Sequence, residues 1–469
     1  MKGLITPIWT VLLVICACTD QDRAQEKATP EGLWQQVGYG RFIEVRDLKV
    51  QIYDMTSRYC QSSEERDLLD FGEVKRFTKD TLVIQHGIDQ WAFTRLERLP
   101  EFCPVNGQAS SDPELNFQTF WDTFNEHYAS FELKGVDWEE VLRKYKPRVS
   151  METTDEELYA ILRQMTDLLD DGHVQIDAPA RIREEYEQQE ATEASRYSKL
   201  DEWRLNREIA ELYVDTLRNY NAGMIRYGRV GSDIGYVQIN SMLMQADYGL
   251  PAGLSLRDFY GQYWAAAANS KNEIQRQEEV AGVNMALDRV LRELQGMESW
   301  VVDLRFNGGG KDGVAMAIMN HFSGIEKVAC TKKAKWKEGF TPKQQIRIIP
   351  SRVHFDGKVY LLTSHLTASA SELLVLASLA DPNFTRIGSS TEGIFSSTLD
   401  KTLPNGWDYE LSNEVYEDLN GTSYEGTGII PDHVLDYPRD RDHLFDRLFR
   451  GVEQGRDAAI EKALRLEGH

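Results

Sequence analysis

The chain is poor in cysteine, with five in 469 residues. Two of these, Cys16 and Cys18, belong to an apolar N-terminal stretch, which leaves Cys60, Cys103 and Cys330. No cysteine–histidine spacing suits a metal and no HExxH pair occurs, so neither metal nor cofactor is expected. The G-x-S-x-G elbow is also missing, which disfavours an α/β-hydrolase. Basic residues are scarce: 53 Lys and Arg stand against 75 Asp and Glu, a net charge of −22. So acidic a surface repels phosphate backbones, and no nucleic-acid partner is expected. After the first twenty residues no run is apolar enough to span a membrane, and there is no internal repeat or low-complexity segment.

What is present begins with "MKGLITPIWTVLLVICACTD". Lys2 precedes an apolar run from about Leu4 to Ala17, the length of a signal-peptide core rather than a membrane helix. "ICAC" before a polar tether resembles a bacterial lipoprotein cleavage site with Cys18 as the lipidated residue; the alternative is an ordinary cleaved signal. The expectation is an exported protein, periplasmic or held at the outer membrane through a lipid on Cys18. Export implies an oxidising compartment. Cys60 and Cys103 flank one β-rich segment, so a disulfide between them is expected, worth about 4 kcal/mol on the chain-entropy model. Other pairings stay open, and Cys330 is then a buried thiol.

The rest divides by pattern. Residues 1–18 are the signal and 19–30 a tether. Residues 31–103 alternate apolar and polar in short runs, predicting a small antiparallel β domain. Residues 112–180 predict helices: Phe117, Phe120, Trp121 and Phe124 recur at helical spacing, and Thr154 to Glu157 form a capping-box start. Residues 181–232 are rich in Glu, Arg and Gln and predict an exposed helical insert, expected to cap the cleft or else to be a solvated face. From 233 to 437, strand-like "IGYVQIN", "WVVDLRF", "KVYLLTS" and "TRIGSS" alternate with helical stretches, predicting an α/β core. Residues 438–469 predict one or two amphipathic helices.

Three stretches of this sequence can carry chemistry. In "VVDLRFNGGGKDG" a strand ends in Gly308 to Gly310. Such a run suits a phosphate loop, an oxyanion hole or simply a tight turn; Asp312 after Lys311 breaks the phosphate-loop pattern. In "KVYLLTSHLTASASELLVLASLAD" a strand passes through Thr367, Ser369 and Ser371 into an apolar helix. Such hydroxyls either cap the helix or supply a nucleophile whose oxyanion the free helix N–H groups would hold. In "LLDDGHVQI", His173 lies in a turn between helix and strand, as a general base does, though a loop histidine is more often merely solvated. His365 is its rival.

Taken together, "DLRFNGGG", "TASASE" after an apolar strand, "LPNG" at 403–406 and "GTGIIPD" occur in the order found in the C-terminal processing (tail-specific) serine peptidases. The chain resembles that family over about 112–437, and within it the branch of the tricorn core protease. The resemblance implies a crotonase-like α/β core, here with a helical cap layer and the small N-terminal antiparallel β domain. It implies Ser369 as nucleophile, with Ser371 as the helix cap, and an oxyanion hole from the N–H groups of Ala370 and Gly309, Gly310 being the adjacent option. The processing peptidases use a lysine base, but Ile394 stands at that position in "STEGIFSS", and Lys401 lies in the next strand-like run. The tricorn-like branch uses histidine, matched by His173, with an acid matched by Glu425. Gly172 replaces the serine that precedes the histidine there, so the contact from Glu425 to His173 is either direct or through water, or is not made. No PDZ domain fits into 177–233. The implied activity is hydrolysis of peptide or protein substrates through an acyl-enzyme; oligomeric state is not implied. The competing readings are a catalytically inactive peptide- or ligand-binding protein on a peptidase scaffold, and a crotonase-type acyl-CoA enzyme, which export disfavours.

Overall fold

The computed structural model describes residues 30–103, 109–189, 195–268, 270 and 272–469. Residues 1–29, on which the signal and Cys18 expectations fall, lie outside them. No helix among the described residues is long and apolar enough to cross a membrane.

The alternation in the first hundred residues becomes seven antiparallel strands between Gly32 and Leu96, in spatial order fourth, third, second, first, seventh, sixth, fifth. Every second side chain turns inward, so Trp34, Ile43, Val45, Val50, Leu82, Ile84 and Phe93 meet in one core, as the two-residue period of a strand dictates. A disulfide joins Cys60 to Cys103, and Cys330 is a buried free thiol.

The helical layer consists of Pro113–His127, Trp138–Tyr145 and Asp155–Thr166, with Asp112, Asp137 and Thr154 accepting hydrogen bonds from first-turn N–H groups. Thr154 and Glu157 form the reciprocal capping box. The aromatic faces of these helices pack on a three-stranded sheet made of Thr398–Thr402, Asp408–Ser412 and Gln175–Asp177. The last strand immediately follows His173, and its register is fixed by Asp408↔Asp177, Tyr409↔Ile176 and Glu410↔Gln175. This pairing brings the turn before it to the α/β core.

That core is a seven-stranded sheet. Ile234–Ile239, Ser299–Asp303, Lys358–Thr363, Phe384–Gly388 and His433–Val434 run parallel. Ile225–Val230 and Arg218–Tyr220 add antiparallel at one edge. Parallel strands covered on both faces read as continuous apolar runs. Trp300 and Val302 face the helices Asn272–Glu293, Asp312–His321 and Ala370–Ser378. Val301, Tyr360 and Leu362 face Lys199–Glu211 and the two C-terminal helices, Arg441–Glu453 and Ala458–Glu467.

Two sequence expectations change here. The sheet starts before residue 233, because Ile225–Val230 pairs along its whole length with Ile234–Ile239; polar Arg226 and Gln238, bonded to each other inside the fold, hide the strand pattern. Nor does the helix Lys199–Glu211 cap the cleft. Leu205, Ile209 and Ala210 bury against the C-terminal helices on the opposite face of the sheet from the helix that starts at Ala370. The N-terminal β domain covers the cleft instead. It is held by Lys332, whose Nζ contacts Asp89 Oδ1 at 2.5 Å and Glu414 Oε2 at 2.9 Å, and by Lys401, which contacts Asp54 at 2.5 Å.

Candidate active site

The strand Lys358–Thr363 ends at the carboxyl edge of the parallel sheet, where ligands of such sheets bind. The turn after it is tied down by Thr367, whose Oγ1 accepts from Ser364 N and donates to Leu304 O. Ser369 then opens the helix Ala370–Ser378 at φ 55° and ψ −126°. A non-glycine residue held there stores about 1–3 kcal/mol, a cost met by the surrounding structure at functional sites. Two contacts hold it: Ser369 N donates to Ile394 O at 3.1 Å and to Glu372 Oε2 at 3.3 Å. Glu372 also accepts from Gly393 N and Ile394 N. Burial pushes its carboxyl up to about 7, against those donors. Ser371 is not the cap that the sequence suggested. It lies inside the helix, and its Oγ is buried without a partner among the described residues.

His173 reaches Ser369 directly, Nε2 to Oγ at 3.1 Å. Asp171 fixes its backbone, Oδ1 accepting from His173 N at 3.0 Å, while Oδ2 accepts from Tyr128 OH at 2.9 Å. Burial holds the imidazolium below its ordinary pKa; Asp171, Asp312 and the Ser396 backbone partly offset this. Nδ1 has no hydrogen-bond partner of good geometry among the described residues, although the Ser396 backbone is near enough to act on the ring. His365 is buried in the turn before Ser369, with Nε2 unpartnered among the described residues.

Glu425 does not hydrogen-bond to His173. Its Oε2 accepts from Phe395 N at 2.9 Å and Ser396 N at 3.3 Å. Burial raises its carboxyl to about 8, partly offset by the Phe395 amide. The carboxyl therefore fixes the 395–396 backbone that borders the imidazole. The lysine position of the processing peptidases is apolar in space as well as in sequence: a Cβ on Gly172 would lie 2.7 Å from Ile394 Cδ1. Lys401 is committed elsewhere, to Asp54 and the carbonyls of Tyr39 and Gly40.

Gly309 packs directly on Ser369; a Cβ there would lie 2.6 Å from Ser369 Cβ. Its N–H, however, donates to Asn307 Oδ1 at 2.9 Å. Gly310 lines the cleft, while Met242 bonds to the residues on either side of it. Neither Gly310 N–H nor Ala370 N–H has a partner among the described residues. These two amides, one in the glycine turn and one at the helix N-terminus, are the free donors beside Ser369. A cleft of about 1060 Å³ opens over Ser369, His173 and Gly310, walled by the N-terminal domain through Tyr39, His86 and Trp91. Among the described residues no cluster of His, Cys, Asp or Glu is arranged to hold a metal.

Sequence reasoning overlooked Asp171, Glu372 and Asn307. The first two were visible beside the motifs, in "DDGH" and "SASE", but a carboxylate that bonds backbone amides leaves no pattern to single it out.

Residues 233–435 match the family model "Peptidase family S41", and residues 111–167 match the "Tricorn protease C1 domain". No curated protein matches the chain. Among solved structures, one from Parabacteroides merdae ATCC 43184, assigned as a peptidase, is 23% identical and covers 77% of this chain and 98% of its own, with a TM-score of 0.55. The photosystem II D1 C-terminal processing protease is 14% identical over 75% of this chain and 99% of its own, at 0.41. Mature CPAF is 9% identical over 74% and 97%, at 0.49. The chain is a serine peptidase, similar over residues 233–435 to peptidase family S41.

Proposed function

We propose that the protein hydrolyses peptide bonds through an acyl-enzyme on Ser369. The observation that carries this is the 3.1 Å contact between His173 Nε2 and Ser369 Oγ. Ser369 Oγ attacks the scissile carbonyl while His173 takes its proton, and a covalent tetrahedral intermediate forms. His173 then gives that proton to the leaving amine as the C–N bond breaks. Water, deprotonated by His173, attacks the acyl carbonyl; the bond to Ser369 Oγ breaks and His173 returns the proton to Oγ. The N–H groups of Ala370 and Gly310 hold the oxyanion, at about 3–4 kcal/mol of barrier per donor. Gly309, whose amide is engaged by Asn307, shapes the turn.

The cationic imidazole that forms during turnover is stabilised by the nearby Asp171 and Asp312. Glu425 is a positioning residue that acts through the Phe395–Ser396 backbone. We read the parallel core as crotonase-like and the protein as exported, with Cys18 carrying a lipid; "ICAC" after an apolar run supports this. Incorporation of radiolabelled palmitate that disappears in Cys18→Ala supports the anchor, and no incorporation in the wild type refutes it.

The catalytic reading is tested with a fluorophosphonate probe on the full chain. Labelling of the wild type that is lost in Ser369→Ala and His173→Ala supports it. A well-folded wild type that neither labels nor cleaves any peptide of a library overturns it.

A further inference from the structure

The chain carries net −22, yet residues 331–347, "TKKAKWKEGFTPKQQIR", hold six cations and one carboxylate. They fold as a hairpin. The strand Lys327–Trp336 turns through Lys337 and Glu338 into Gly339–Phe340, and Gln344–Ile348 pairs beside it. Lys337 opens that turn at φ 54°, in the left-handed region where glycine is usual.

The two-residue period of a strand sorts the side chains. Lys332 and Ala334 face inward and are buried, and Lys332 is spent on Asp89 and Glu414. Lys333 and Lys335 face the other way. Phe340, the cross-strand partner of Lys335, packs between them, its ring centre 4.8 Å from Lys333 Nζ and 5.7 Å from Lys335 Nζ. At the tip, Lys337 Nζ lies 4.8 Å from the Trp336 ring. Phe340 is 40% exposed.

Carboxylates answer only part of this charge. Glu417 holds Lys333 at 2.6 Å and Lys343 at 2.5 Å, and Glu326 faces Arg347 at 3.4 Å. Glu338 is exposed in the turn. Lys335 and Lys337 make no ion pair among the described residues. An aromatic face attracts an ammonium but leaves its charge in place. At physiological salt, exposed charges more than about 8 Å apart are largely screened. A surface that touches this tip therefore meets the lysines, not the net charge of the chain.

A half-exposed ring flanked by lysines at the end of a hairpin fits the headgroup layer of a membrane. Aromatic side chains settle at that level, and lysines there meet anionic phosphates. We infer that the hairpin docks on a lipid surface that bears anionic headgroups, with Phe340 entering the headgroup layer and Lys335 and Lys337 on the phosphates. A lipid on Cys18 is not required for this contact. An acidic polypeptide would engage the lysines but supply no such layer for Phe340.

Hydrogen exchange of the full chain, read by mass spectrometry, tests the docking. Vesicles of phosphatidylcholine and phosphatidylglycerol at roughly 7:3 are compared with vesicles of phosphatidylcholine alone. On the anionic vesicles the peptide spanning 336–340 should exchange about tenfold more slowly than without vesicles. On the neutral ones it should not slow. Lys335→Gln with Lys337→Gln should weaken docking about 25-fold, about fivefold per lysine, and so return the tip to within about twofold of its vesicle-free rate. Phe340→Ser should also reduce the slowing. Unchanged slow exchange in the core strand Ser299–Asp303 reports that each variant is folded. No slowing at the tip, equal slowing on neutral vesicles, or slowing that survives the double lysine substitution overturns the proposal. Slowing by poly-glutamate with none on vesicles also overturns it, and assigns the hairpin to an acidic polypeptide.

Discussion

His173 Nε2 and Ser369 Oγ lie 3.1 Å apart although 196 residues separate them in the chain. Two structural facts bring them together. Gln175–Asp177 pairs with Asp408–Ser412, which fixes the turn that holds His173. Lys358–Thr363 delivers Ser369 to the carboxyl edge of the parallel sheet. Neither side chain stands in a family-specific local spacing with the other, so the fold alone builds the pair.

Gly310→Ala tests the oxyanion assignment. Gly310 has φ 141°, and a Cβ would lie 2.6 Å from the backbone carbon of Met242. Backbone cannot step aside cheaply, so the turn must move and its N–H with it. The expected result is a fall in kcat of about 10²–10³, with KM little changed, as loss of one oxyanion donor gives. Steady-state kinetics on a peptide found by library digest checks it.

Substitutions at Glu425 separate a charge role from a scaffolding role. Its Oε2 accepts from two backbone amides, and a glutamine carbonyl can accept them too. Glu425→Gln should therefore retain kcat/KM within about tenfold, whereas Glu425→Ala, which orphans buried donors, should lose about a hundredfold or more. Equal, large losses in both variants would mean that the charge itself is used.

The pH profile follows from the burial of His173. The base must be neutral to accept the proton. Burial holds its pKa below the ordinary value, so kcat/KM rises as pH increases through a point below about 6.5 and is level at neutral pH. Asp312 favours the protonated ring; Asp312→Asn should shift that limb to lower pH. A shift upward would contradict the assigned interaction.

Arg305 carries the stability of the C-terminal helices. It is fully buried and bonds Asp303 Oδ2 at 2.7 Å and Asp457 Oδ2 at 2.8 Å. Asp457 also caps the last helix, accepting from Ala459 N and Ile460 N. Breaking one side of a buried charge cluster costs about 3–5 kcal/mol, so Arg305→Met should lower the urea midpoint strongly. Asp457→Asn keeps the cap and loses the charge, and Asp457→Ala loses both and should cost about 1 kcal/mol more.

Much of this organisation was legible in the sequence. The alternation in 31–103, the aromatic spacing around Phe120 and the strand before Thr367 became the elements they predicted, because each has one apolar face with one period. The strands from Lys327 to Ile348 and from Asp408 to Glu417 went unread; several are short, and buried charged residues such as Lys332 and Glu414 break their apolar pattern. The strand-to-helix turn that holds Ser369 was legible because strand, turn, hydroxyl and helix occur in sequence. The role of Ser371, the engagement of the Gly309 amide and the actual partners of Glu425 were not, since each depends on which way a backbone N–H or a side chain points after folding.

The most direct test is mass spectrometry of the intact protein and its tryptic peptides after reaction with a fluorophosphonate. The account predicts one stoichiometric adduct on the peptide that carries Ser369, absent from His173→Ala under the same conditions. An adduct on another serine, or labelling of Ser369 that is unchanged in His173→Ala, would contradict it.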